Sequence, residues 1–254
     1  MRMIYRLNAF FIYLFLYAPI LILILFSFNN SQYTVAWEGY SLRWYDQLFH
    51  NPAIWEKCLN SLVVALVTTV ISTILGTTAV LALERYQFVG RSLYAAVLYL
   101  PIIVPDIVLA IALSLFYGLT HIPRGFATII FGHVVLTIPF VAIVVRARLR
   151  GFDRNLEEAA ADLGANEWAT LRYVTLPLIA PGILGGALLA FSLSIDDFII
   201  TFFTKGIGVD TLPIQIYSMQ KKFGVTPEIN AVSSLLLFNS ILFVLLSLTL
   251  QRRK

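Results

Sequence analysis

Apolar residues gather into six uninterrupted blocks: Phe10–Phe28, Leu59–Leu83, Leu93–Leu119, Phe126–Val145, Leu178–Phe203 and Ala231–Leu250. At about 1.5 Å of rise per residue, each is long enough to cross roughly 30 Å of hydrocarbon as a helix. The pattern predicts an all-α polytopic membrane protein of about six transmembrane helices, forming one domain over residues 1–254. The first block follows Arg2 and Arg6. It is too long for the apolar core of a secretory signal and lacks a small-residue cleavage site before Asn29, so it reads as a retained span.

Within the spans, two kinds of position stand out. Ser61, Ala65, Thr68, Ser72 and Gly76 recur at helical spacing along the second block. Small side chains let helix backbones approach closely, so this stripe reads as a packing surface. Pro101 and Pro105 in the third block and Pro139 in the fourth each remove a backbone donor and predict kinks.

Between the fourth and fifth blocks the periodicity changes. Leu156, Ala159, Ala160 and Leu163 lie at i, i+3, i+4 and i+7, the mark of a short amphipathic helix. Asp153 or Asn155 can cap it, Glu157 and Glu158 suit the positive end of its dipole, and Gly164 can end it. Asn166 can cap a second turn containing Trp168 and Leu171, before Pro177 opens the fifth span. A face built mostly of alanine fits a shallow groove on a cytoplasmic partner protein. On physical grounds alone, a helix lying in the membrane interface fits equally well.

Composition agrees with a lipid solvent: 59% of residues are apolar and 13% charged, against about 45–50% and about 25% in soluble domains. The net charge of +4 comes largely from basic residues flanking apolar blocks, which excludes nucleic acid as a partner and identifies membrane lipid instead. Of the 18 Lys and Arg, only Arg43, Lys57, Arg124, Lys205, Lys221 and Lys222 fall on the side opposite the termini. The positive-inside rule therefore places both termini, the 84–92 loop and the 146–177 loop in the cytoplasm, with 29–58 and 204–230 outside. Cys58 stands alone and His50, His121 and His133 lack ligand-like spacing, so neither a disulfide nor a metal site is expected. The chain contains no phosphate-cradling G-x-x-x-x-G-K-[ST] loop and no nucleophile and base at motif spacing, so no catalytic residue is assigned.

Three acids fall in or beside apolar spans. Asp106, Asp196 and Asp197 must face protein or water, because an acid at the bilayer centre costs about 2.5–3.5 kcal/mol. Rise per residue puts Asp106 and Asp196 at broadly similar height in the outer half of the membrane. Neighbouring helical residues point about 100° apart, so one of Asp196 and Asp197 lines a path while the other packs or caps. Carboxylates beside the aromatic rings of Tyr99 and Phe198 suit an ammonium cargo. The alternative is that these acids pair with Lys205 or cap broken helix ends.

Glu158, Ala159, Ala160 and Gly164, followed by Val174, Leu176 and Pro177, resemble the EAA loop of binding-protein-dependent ABC importer permeases, with Val174 where isoleucine is usual. Pro105-Asp106-Ile107-Val108, Ser192 to Phe198 and Thr211 to Met219 are similar to the spermidine/putrescine subgroup of that family. The resemblance implies a type I ABC importer permease fold in the bacterial inner membrane. It also implies that Glu158, Ala159, Ala160, Gly164, Leu176 and Pro177 belong to a coupling helix and its exit, docked on an ATPase. This chain would carry no cofactor, and ATP and Mg would bind two separate cytoplasmic ATPase subunits. A second homologous permease and an extracytoplasmic polyamine-binding protein would complete the assembly. Competing readings are an ABC permease for another small solute and an ion-coupled secondary transporter.

Overall fold

The computed structural model describes residues 2–32, 34, 36–153 and 155–238. Its helices are α1 (Arg2–Phe26), α2 (Arg43–Phe49), α3 (Pro52–Arg85), α4 (Arg91–Ile103), α5 (Asp106–Leu119), α6 (Phe126–Arg150) and α7 (Asn155–Asp162). Then come α8 (Glu167–Thr170), a π-helical turn (Leu171–Thr175), α9 (Leu176–Ile195), α10 (Ile199–Thr204), α11 (Leu212–Phe223) and α12 (Pro227–Phe238). Among the described residues there is no strand, only an isolated bridge between Asn29 and Tyr40. The predicted sixth span, Ala231–Leu250, begins within α12, and its part from 239 onward lies outside the described residues.

Two compact units divide the chain: Met1–Lys57 with Gln215–Lys254, and Cys58–Ile214. In the first, α1 buries none of its apolar window, leaving rings such as Phe15 outward as a lipid-facing helix requires. Asn29 organises the turn that follows. Its side chain donates to Ala36 O at 2.7 Å and accepts from Glu38 N at 2.9 Å, while its carbonyl accepts from Trp44 Nε1 at 2.8 Å.

The second unit is built around α6, whose apolar window is 61% buried. α3 runs parallel to α6: Ser72 meets Thr137, and Gly76 meets Val141 and Ile138. All five residues of the small stripe on α3 are buried. α9 runs antiparallel against another face of α6 through a second stripe: Gly182 abuts Arg148, Gly186 abuts Val141, and Ser194 meets His133. A Cβ on Gly182 would lie 2.7 Å from Arg148 Cβ, so the small residue sets the helix spacing.

Two predicted spans are broken. The third, Leu93–Leu119, bends by 112° between α4 and α5. The break falls at Val104-Pro105, where the residue before proline is forced into extended backbone. The pair still advances along α6 from Tyr99 near Ile143 and Arg146, through Leu113 at Gly132, to Tyr117, whose hydroxyl donates to Thr128 O at 3.1 Å. It therefore crosses once, as a broken span. The fifth, Leu178–Phe203, stops at Ile195 and restarts as α10. By contrast, α6 continues through Pro139 without interruption.

Candidate functional site

The loop between α6 and α9 forms the first candidate site. Asp153 Oδ1 accepts from Asn155 N at 3.0 Å, opening α7. Gly164 closes it with φ +87, and Ala165 N reaches back to Ala160 O at 3.0 Å, a glycine-dependent helix stop. Asn166 then caps α8 by accepting from Ala169 N at 2.8 Å. Pro177 cannot donate to Tyr173 and its ring crowds that carbonyl; the widened π turn over Leu171–Thr175 accommodates this.

Side chains on α7 divide by direction. Glu158, Ala159, Asp162 and Leu163 are exposed, Leu163 to 90%, and Trp168 and Tyr173 continue the exposed surface. Glu157 and Ala160 turn inward. Glu157 pairs with Arg85 of α3 and accepts from Thr175 Oγ1 at 2.5 Å. The motif singles out Glu158 and is silent on Glu157, because the two neighbours differ only in which one meets a residue distant in the chain. Leu176 is half-buried and Pro177 exposed at the start of α9.

The second candidate site lies at the two breaks. Asp106 is the first residue of α5 and is exposed. Asp196 ends α9 and is also exposed. Asp197 is different. Its carboxylate lies 3.0 Å from His133 Nε2 and accepts from Thr201 N at 2.8 Å, Ile200 N at 3.3 Å and Thr201 Oγ1 at 3.1 Å. It caps α10 inside the protein, so Asp196 is the member of the pair left facing outward.

α5 and α10 run parallel. Tyr117 and Thr204 both meet Thr128, and Leu113 and Ile200 both meet Gly132. Their starts, and with them Asp106 and Asp196, therefore lie toward the same end of α6. The rings of Phe198 and Phe202 pack at a tilt, 5.4 Å between centroids, beside this break. Tyr99 does not join them. It packs on the Val141, Ala142 and Val145 cluster and, with Ile143, Arg146, Ala147 and Arg150, lines a cavity of about 350 Å³ farther along α6, at its Arg150 end. The expected grouping fails for Tyr99 because it sits nearly two turns before the bend. Lys205 pairs with Asp210 at 2.5 Å rather than with either acid of the break. His133 has no motif to mark it, although an ionisable residue amid an apolar block signals a buried partner. Among the described residues no group of His, Cys, Asp and Glu could hold a metal ion.

Residues 69–253 match the family of binding-protein-dependent transport system inner membrane components. The chain belongs to that family. Its relatives include the spermidine/putrescine transport system permease protein PotC of Escherichia coli strain K12, 40% identical over 243 residues, which are 96% of this chain and 92% of that protein. PotC of Haemophilus influenzae is 37% identical over 97% of this chain and 96% of its own. The putrescine transport system permease protein PotI of Escherichia coli strain K12 is 41% identical over 88% of this chain and 82% of its own. Among solved structures, a bacterial ABC transporter involved in the import of the acidic polysaccharide alginate has a chain with TM-score 0.77 and 16% identity. That likeness covers 99% of this chain and 95% of the other. The fold is that of an ABC importer permease, and the chain is a transport subunit of the inner membrane.

Proposed function

We propose that this permease is one of two non-identical membrane subunits of an ATP-driven importer that moves polyamines into the cytoplasm by alternating access. Two cytoplasmic ATPase subunits bind ATP and Mg and hydrolyse the nucleotide, and an extracytoplasmic polyamine-binding protein delivers the cargo. The whole chain is a single permease domain, with both termini in the cytoplasm. α7, with Glu158 and Ala159 on its outward face, Ala160 behind them and the Gly164 stop at its end, docks on the ATPase. Leu176 and Pro177 carry the movement into α9.

The observation that carries the cargo assignment is the pair of exposed carboxylates, Asp106 and Asp196, at breaks in two apolar spans and toward the same end of α6. Acids at such depth serve a pathway or a partner, and Asp197 already has its partner. Asp106 and Asp196 therefore hold the ammonium groups of a polyamine in transit, with Phe198 and Phe202 offering ring faces beside them. A near full-length likeness to permeases named for spermidine and putrescine supports the same cargo.

Uptake of labelled putrescine and spermidine by cells carrying the complete importer tests this reading. Asp106→Asn and Asp196→Asn, each at wild-type abundance, lower uptake at least tenfold, whereas Asp210→Asn, outside the breaks, lowers it less. Unchanged uptake by both break variants overturns the cargo assignment.

A further inference from the structure

The last turn of α3 is tied in two directions. Glu84 accepts from Arg146 Nε at 2.6 Å, fixing α3 to the end of α6. Arg85, the next residue, turns to the loop: its Nη2 pairs with Glu157 and donates to Thr175 Oγ1 at 2.7 Å. Thr175 Oγ1 in turn donates to Glu157 Oε1 at 2.5 Å. Each of the three residues thus bonds to both others.

These residues belong to three different elements: the end of α3, the first turn of α7, and the last residue of the π turn below α9. Thr175 is fully buried, and the Arg85 and Glu157 side chains are 24% and 23% exposed. Exposed ion pairs are weak because water screens them and their long side chains lose entropy. A charge-assisted triangle closed around a buried hydroxyl is short, directional and shielded. The outer face of α7 is bare, and the chain from α7 to α8 passes through the Gly164 turn, whose φ of +87 is suited to a backbone pivot. Covalent continuity alone would let α7 swing without moving the spans.

We propose that Glu157, Thr175 and Arg85 form a latch that makes α7 rigid with the bases of α3 and α9, so that displacement of α7 moves both spans together. The two adjacent glutamates have separate roles, Glu158 facing the docked partner and Glu157 transmitting inward. Arg85, Glu157 and Thr175 are positioning residues and touch neither nucleotide nor cargo. The inference rests on the reading of α7 as the ATPase-docking helix.

The test uses the complete importer, purified and reconstituted in liposomes with its receptor, measuring putrescine imported per ATP hydrolysed. Glu157→Gln and Thr175→Val keep side-chain shape while removing the charge or the hydroxyl. Both are expected to co-purify with the ATPase subunits at wild-type stoichiometry while import per ATP falls at least tenfold. Thr175→Ser, which keeps the hydroxyl, retains the wild-type ratio. Wild-type import per ATP in Glu157→Gln and Thr175→Val overturns the latch. Loss of co-purification in Glu157→Gln also overturns it, by making Glu157 a docking residue. If the wild-type chain itself fails to co-purify with the ATPase subunits, the docking reading falls and the latch with it, a result distinct from either variant outcome.

Discussion

His133 Nε2 stands 3.0 Å from the Asp197 carboxylate, with the two side chains only 1% and 7% exposed. The other ring nitrogen lies 2.7 Å from Ser194 Oγ, in the last turn of α9. One imidazole on α6 therefore holds both sides of the break between α9 and α10. Ser72 and Thr137 extend the polar contacts to α3, because Thr137 Oγ1 reaches both Ser72 Oγ and the His133 carbonyl at 2.7 Å.

Removing the imidazole leaves a buried carboxylate without its ring partner. Breaking a buried pair from one side costs about 3–5 kcal/mol, reduced here by the α10 backbone donors that remain. His133→Ala is expected to lower the thermal unfolding temperature of the purified complex by several degrees. Asp197→Asn, which keeps a side-chain oxygen for the Thr201 amide, is expected to cost less. Unfolding of both variants at the wild-type temperature would refute the clamp.

Close backbone approach predicts a different sensitivity at Gly206. A Cβ there would lie 2.1 Å from the Arg124 carbonyl oxygen, whereas one on Gly118 meets nothing within 4 Å. Gly206→Ala forces two backbones apart, and overpacking of this kind costs about 1–3 kcal/mol or more. Gly118→Ala serves as the control and should leave stability within about 0.5 kcal/mol. Equal stabilities for the two variants, read from denaturation of the complex in detergent, would contradict the packing between Arg124 and Gly206.

Sidedness can be read by thiol chemistry in a Cys58→Ser background. Leu163→Cys, at a position 90% exposed on the 146–177 loop, should react with a membrane-impermeant maleimide only after the cells are opened. Ile207→Cys, fully exposed between α10 and α11, should react in intact cells that lack a barrier outside the inner membrane. Labelling of Leu163→Cys from outside would reverse the orientation derived from the basic residues.

Much of the architecture is legible along the chain. Phe126–Val145 maps onto α6, the Leu156-Ala159-Ala160-Leu163 spacing onto α7, and the small stripe from Ser61 to Gly76 onto a buried face of α3. A matching stripe at Gly182, Gly186, Ala190 and Ser194 carries the same i, i+4 signal, yet only its packing on α6 makes it conspicuous. The acids at 106, 196 and 197 stand out for their apolar surroundings, but their neighbours in the chain do not say which of them is already held.

The sequence by itself determined the solvent, the first five apolar spans, the basic side and the small helix before the penultimate span. Each of these follows from residue hydropathy and helical period, which act over one or a few turns. Only the tertiary structure decided that Asp197 is capped and paired while Asp196 faces out, that Tyr99 lies apart from both, and that Glu157 rather than Glu158 meets Arg85. Those outcomes depend on contacts between positions as far apart as Arg85 and Thr175, separated by 90 residues. Such contacts exist only once the helices have packed, because hydrogen bonds and ion pairs are made at distances of a few ångströms that no local pattern encodes.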